Sequence, residues 1–217
     1  MEVDKFITEL GIYILLLNTV LFITSYNKNY KALKYFIMYL VLCCVIQKIS
    51  SDISAKGDNN LYLSHYFFTG QFIFLSLFFS KILEFKKVAK FILGFTIALT
   101  VIIITYFYLH EEAYRKWSEF EIVLTSTPLL VYSFLYFLKK IEVSTSKRFI
   151  YFNSGFFVYT LCSTLIFLLG NLVTKHIKSY VWDINQLLYL FFQIAVLIEW
   201  IKNFRKQFLF RFNKNKI

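Results

Sequence analysis

Hydrophobic residues run along this chain in long blocks separated by short charged connections, and the blocks predict seven helices. They cover about 7–26, 33–49, 61–83, 88–109, 120–138, 149–173 and 180–201. Crossing a bilayer core takes about 20 apolar residues in a helix, and most blocks meet that length. The second is charge-free only from Tyr35 to Gln47, between Lys34 and Lys48. It spans if both lysines extend to the two surfaces. The ten-residue alternation of an outer-membrane barrel is absent. The expected fold is an all-α membrane protein, a seven-transmembrane helix bundle.

Polar residues within the blocks fall in stripes. In the last block Trp182, Asn185, Gln186, Tyr189, Gln193 and Trp200 recur at steps of three, four and seven, which places them on one helix face. In the sixth, Asn153, Thr160, Thr164 and Asn171 share a face, while Gly155 permits close helix approach. In the third, His65, Thr69, Ser76 and Ser80 align and Gln71 points elsewhere. These stripes predict that helices three, six and seven form the interior. The fourth block, nearly featureless, is expected to face lipid. Pro128 in the fifth predicts a bend.

The candidate ligand-binding or polar-interior residues are therefore His65, Thr69, Asn153, Thr160, Thr164, Asn171, Asn185, Gln186, Tyr189 and Gln193. A buried Asn such as Asn18 reads first as glue between helices. His65 reads as a histidine bonded to a neighbouring helix or, alternatively, as a ligand or proton site. With Glu9, Gln47, Glu121 and Asp183, several of these residues lie in the same half of the membrane, which suggests a cavity walled by aromatics and open to that side.

Composition agrees with the class: the chain is 58% hydrophobic, with six Gly and one Pro in 217 residues. The charge sets an expected orientation. Of its 24 Lys and Arg, 17 fall in the connections 1–2, 3–4 and 5–6 and in the C-terminal tail, on one side with only Glu84, Glu142 and Glu199. Cytoplasmic loops collect basic residues, so the N-terminus is expected outside and the C-terminus in the cytoplasm. The net charge of +11 then points to the anionic inner leaflet of a lipid bilayer as neighbour, and no nucleic acid partner is expected. No cleavage motif follows the first span, which is expected to be retained as signal and anchor. Residues 50–60, SSDISAKGDNN, predict a solvated turn. The tail 202–217 puts Phe204, Phe208 and Phe212 on one side and is expected to lie along the inner membrane surface. Abundant Lys, Ile, Phe, Tyr and Asn hint at an AT-rich, bacterial genome, and so at a bacterial inner membrane.

Motifs for chemistry are missing. His65, His110 and His176 belong to no HxxxH, HExxH or HxxxD pattern, and Cys43, Cys44 and Cys162 form no metal or disulfide framework. There is no P-loop, nucleophile elbow or dinucleotide fingerprint. The expectation is a non-enzyme with no cofactor and no metal.

The runs YSFLYFLKK, FIYFNSGFFVYTLCSTLIFLLGN and VWDINQLLYLFF, with Tyr159 at mid-span and a W-x-x-N opening at Trp182 and Asn185, resemble uncharacterised bacterial seven-helix membrane proteins, similar to the membrane sensory modules of histidine kinases. The resemblance implies a membrane sensor that relays a signal to a separate cytoplasmic partner, and it carries over no functional residues. Two alternatives stand beside it. One is an accessory subunit whose polar faces bind other membrane subunits. The other is a small transporter of the SWEET type, although Pro128 has no counterpart in span one and the expected internal repeat is not visible.

Overall fold

The computed structural model describes residues 2–27, 30–115, 117–142, 148–169 and 175–206. They form seven α-helices: α1 (Glu2–Thr24), α2 (Lys31–Ala55), α3 (Leu63–Ile82), α4 (Lys86–Leu109), α5 (Glu119–Glu142), α6 (Ile150–Leu169) and α7 (Lys175–Asn203). A 3-10 turn, Glu111–Arg115, precedes α5, and there is no strand among the described residues. All helices except α3 are long and apolar enough to cross a membrane. The chain is a helical membrane protein.

Six helices close into a ring, each touching its neighbours in the order α1, α2, α3, α5, α6, α7 and back to α1. The remaining helix, α4, lies outside the ring against α3 and touches α5 lightly. Its buried residues Ile92, Thr96, Leu99 and Ile103 form one stripe, and most of its surface is exposed. Helix α3, less apolar by hydropathy, packs closely against three neighbours, α2, α4 and α5. Its buried positions include His65, Gln71, Ser76 and Ser80 as well as Phe72 and Phe79. Polar residues that would be costly against lipid are sheltered by α2, α4 and α5. Gln71, expected to point away from the His65 stripe, is buried too, because α3 packs against several helices. An interior of helices three, six and seven is corrected, since α6 and α7 leave Val158, Leu165, Leu187 and Phe191 exposed.

Helix packing follows from small residues and paired polar groups. A Cβ built on Gly155 would lie 2.6 Å from that of Ala195, so α6 and α7 approach nearly backbone to backbone. Along α1 and α7, which run parallel, three contacts succeed one another. Thr8 Oγ1 donates to Gln186 Oε1 at 2.7 Å, Asn18 Nδ2 to the Gln193 carbonyl at 2.9 Å, and Trp200 Nε1 to Ser25 Oγ at 2.8 Å.

The end of the bundle that carries the α1–α2, α3–α4 and α5–α6 connections is filled by phenylalanine. Phe22, Phe36, Phe78, Phe149, Phe152 and Phe204 are all at most 2% exposed. Their ring centroids lie 4.6–5.8 Å apart between packed neighbours, mostly edge to face. Phe204 belongs to this plug: α7 continues to Asn203 and Phe204 turns into the bundle, so of the tail expected along the membrane surface only 202–206 is described, and its Phe204 packs inward. Phe208 and Phe212 lie outside the described residues. The solvated turn expected from Ser50 is also corrected. Helix α2 runs on to Ala55, supported by the Lys48–Asp52 pair at 2.7 Å, and the chain reverses at Gly57, whose φ of +79° suits glycine.

Candidate functional site

Toward the opposite end the ring is not filled. A cavity of about 540 Å³ lies between α1, α2, α3, α6 and α7. Its deepest lining residues are Cys43, Tyr159 and Tyr189. Thr8, Gln47, Asn185 and Gln186 follow, and Ser50, Asn60 and Leu61 stand at the α2–α3 connection. Phe67, Phe68, Trp117, Phe167 and Trp182 make an aromatic wall. Within it Trp117 lies 4.9 Å from Phe167 and 6.1 Å from Trp182, edge to face. Residues on one face of α7 thus point into a shared space, as their spacing requires.

The polar side chains of the wall are held by neighbours. Ser163 Oγ donates to Asn185 Oδ1 at 2.5 Å, and Thr8 fixes Gln186 as above. Asn60 Nδ2 donates to Ser50 Oγ at 2.7 Å and to the Ser50 carbonyl at 3.2 Å, tying the α2–α3 connection back to α2. Tyr189 packs against Tyr159 with ring centroids 5.8 Å apart. One turn deeper, Gln193 is fully buried against Asn18.

His65 and Thr69 lie elsewhere. They face α5, where His65 Nδ1 is 2.5 Å from Glu121 Oε2 and Thr69 Oγ1 donates to Glu121 Oε1 at 2.9 Å. His65 Nε2 stands 3.1 Å from the Tyr114 carbonyl in the 3-10 turn. Both ring nitrogens face acceptors, so Nε2 carries a proton and one further proton is held between Nδ1 and the carboxylate. The pair is buried, Glu121 to 1% exposure, and has no net charge whichever partner holds that proton. It fastens α3 to α5 and to the turn above them.

The predicted site residues therefore divide. Asn185, Gln186 and Tyr189 line the cavity, and Gln193 supports its floor. Asn153 is buried in the α5–α6 contact, with Ser133 Oγ donating to its Oδ1 at 2.9 Å. Thr160 is buried and Thr164 half-buried on α6. Asn171 lies outside the described residues. The cavity residues that the stripes did not select include Thr8, Ser50 and Asn60 and, in the aromatic wall, Phe67, Phe68, Trp117 and Phe167; Trp182 belongs to the stripe of α7. Gln47 was visible only as a polar residue in the same half of the membrane. Trp117 and Trp182, both near helix starts, were the available sign of the wall. No group of three or more His, Cys, Asp or Glu able to hold a metal occurs among the described residues.

Known proteins add no assignment: no family model, curated protein or solved structure matches the chain.

Proposed function

We propose that this chain is a non-enzymatic membrane sensor that binds a small molecule in the cavity and relays the event to a separate cytoplasmic partner. In this reading all seven helices cross the bilayer of a bacterial inner membrane, α3 being sheltered enough to cross despite its polar residues. The N-terminus lies outside and the C-terminus inside, as the basic connections favour. The cavity then opens outward, and the phenylalanine plug closes the cytoplasmic half. The basic residues Lys31, Lys34, Lys86 and Lys87 stand exposed at the inner surface, next to anionic lipid and within reach of a partner.

The observation that carries this reading is that the cavity is blind. The cavity ends on fully buried aromatic rings, which a transporter would have to repack to open the other side in turn. A blind pocket on one side of a bundle held by paired polar contacts suits a receptor, in which a ligand favours one helix arrangement over another. The contacts of α7 offer a route, since the same helix lines the cavity at Asn185 and holds the start of α6 at the other end through Glu199.

Crosslinking in native membranes, followed by mild-detergent purification and mass spectrometry, tests the relay. A stoichiometric cytoplasmic regulator or kinase is expected. A large assembly of membrane subunits would favour the accessory role, and a protein recovered alone would overturn both.

A further inference from the structure

The chemistry of the cavity wall narrows the ligand, and this inference rests on the reading of the cavity as a ligand site. No Asp, Glu, Lys, Arg or His stands among its lining residues, of those described. An ion entering it would lose water and meet no counter-charge, which is costly. Asn185 and Gln186 are neighbours on α7. The carbonyl oxygen of each already accepts one hydrogen bond, from Ser163 and from Thr8, whereas both amide NH2 groups are without a partner among the described residues. The two amides therefore offer N–H donors first. The aromatic wall of Trp117, Trp182 and Phe167 supplies flat apolar surface in the same cavity. Its volume of about 540 Å³ lies within the usual range for small-molecule pockets.

We propose that the cavity takes an uncharged ring compound carrying carbonyl oxygens, of the quinone type. The ring lies against the aromatic wall, and the oxygens accept hydrogen bonds from the amides of Asn185 and Gln186. A compound of the same shape without oxygens leaves those donors unpaired, and an anionic analogue is excluded.

The test measures equilibrium binding to the full chain in lipid nanodiscs, with empty nanodiscs subtracted for partitioning. The probes are duroquinone, whose fully substituted ring resists attack by the Cys43 thiol, durene, which is the same ring without carbonyls, and maltose. Duroquinone is expected to bind saturably, one per chain, and about tenfold more tightly than durene, as two hydrogen bonds would give. Gln186→Met is expected to weaken duroquinone by roughly three- to tenfold and to leave durene unchanged. Asn185→Leu should do the same, and Gln186→Met guards against a folding defect at the more buried Asn185. Equal binding of durene and duroquinone, or indifference to both substitutions, would overturn the proposal. So would displacement of duroquinone by maltose, which would indicate a carbohydrate site. If none of the probes binds but a partner copurifies, the ligand class fails and the relay stands; if both fail, so does the reading beneath them.

Discussion

The carboxylate of Glu199 on α7 caps the start of α6 by accepting the backbone N–H of Phe149 at 2.5 Å. Its second oxygen takes Tyr151 N–H at 3.0 Å and Phe152 N–H at 3.4 Å, and Asn203 Nδ2 donates to the first at 2.8 Å. The first N–H groups of a helix have no partner within it, and the positive end of the helix dipole favours an anion. Here the anion comes from another helix, which explains how a fully buried Glu is tolerated and why Phe149 holds a left-handed φ of 63° at the turn into α6.

Glu199→Ala is expected to destabilise the bundle by about 2–3 kcal/mol, because it leaves several buried donors unpaired at once. Glu199→Gln retains an acceptor oxygen and is expected to lose less. Thermal melting of both variants in one detergent checks the order. Equal stability of Ala and wild type would remove the cap from the account.

His65 and Glu121 are expected to behave as one unit. Removing either partner of a buried pair leaves the other uncompensated, at a cost of about 3–5 kcal/mol. The double variant His65→Leu/Glu121→Leu should therefore be less destabilised than the sum of the single ones, with a coupling of roughly 0.5–3 kcal/mol. Additive losses would mean that the two side chains act separately.

Glycine tests the ring arrangement. Gly155→Val thrusts atoms into Ala195 and is expected to cost about 1–3 kcal/mol by separating α6 from α7. Gly94→Ala on α4 meets open space and is expected to be neutral or to stabilise by up to about 1 kcal/mol. The reverse ranking in melting experiments would contradict the placement of α4 outside the ring.

Tyr30, in the connection before α2, stacks on Phe149 at 5.9 Å with the Arg148 guanidinium 5.2 Å from its ring centre. Burial pushes its hydroxyl up to about 12, against a smaller lowering by Arg148. The unfolded value is about 10, so the neutral phenol stabilises the fold fully below pH 10. That contribution disappears as pH rises from about 10 to about 12. Tyr30→Phe is expected to shift alkaline unfolding to higher pH, and an unchanged midpoint would refute the assignment.

Much of the architecture was legible in the chain because lipid imposes its own length and polarity on every helix. The six apolar helices stand where the hydrophobic blocks predicted them, and the polar stripe of α7 did mark a face turned to other helices. Pairings between distant segments were not legible. Nothing in the neighbourhood of His65 announces Glu121, 56 residues later, and nothing near Glu199 announces the start of α6. The phenylalanine plug was equally hidden, since a buried Phe and a lipid-facing Phe look the same in a hydrophobic block. Ser50–Ala55 was misread because its small polar residues resemble a turn, whereas the Lys48–Asp52 pair and the open end of the bundle let the helix continue.

The proposed cavity, open to the outside and sealed from the cytoplasm, is tested most directly by cysteine accessibility. With Cys43, Cys44 and Cys162 replaced by Ser, Gln186→Cys places a thiol in the cavity wall and Phe152→Cys places one in the plug. In right-side-out membranes a small membrane-impermeant methanethiosulfonate is expected to label the cysteine at 186 and not the one at 152, and in inverted vesicles to label neither. Labelling at 186 from the cytoplasmic side, or none from the outside, would contradict the account.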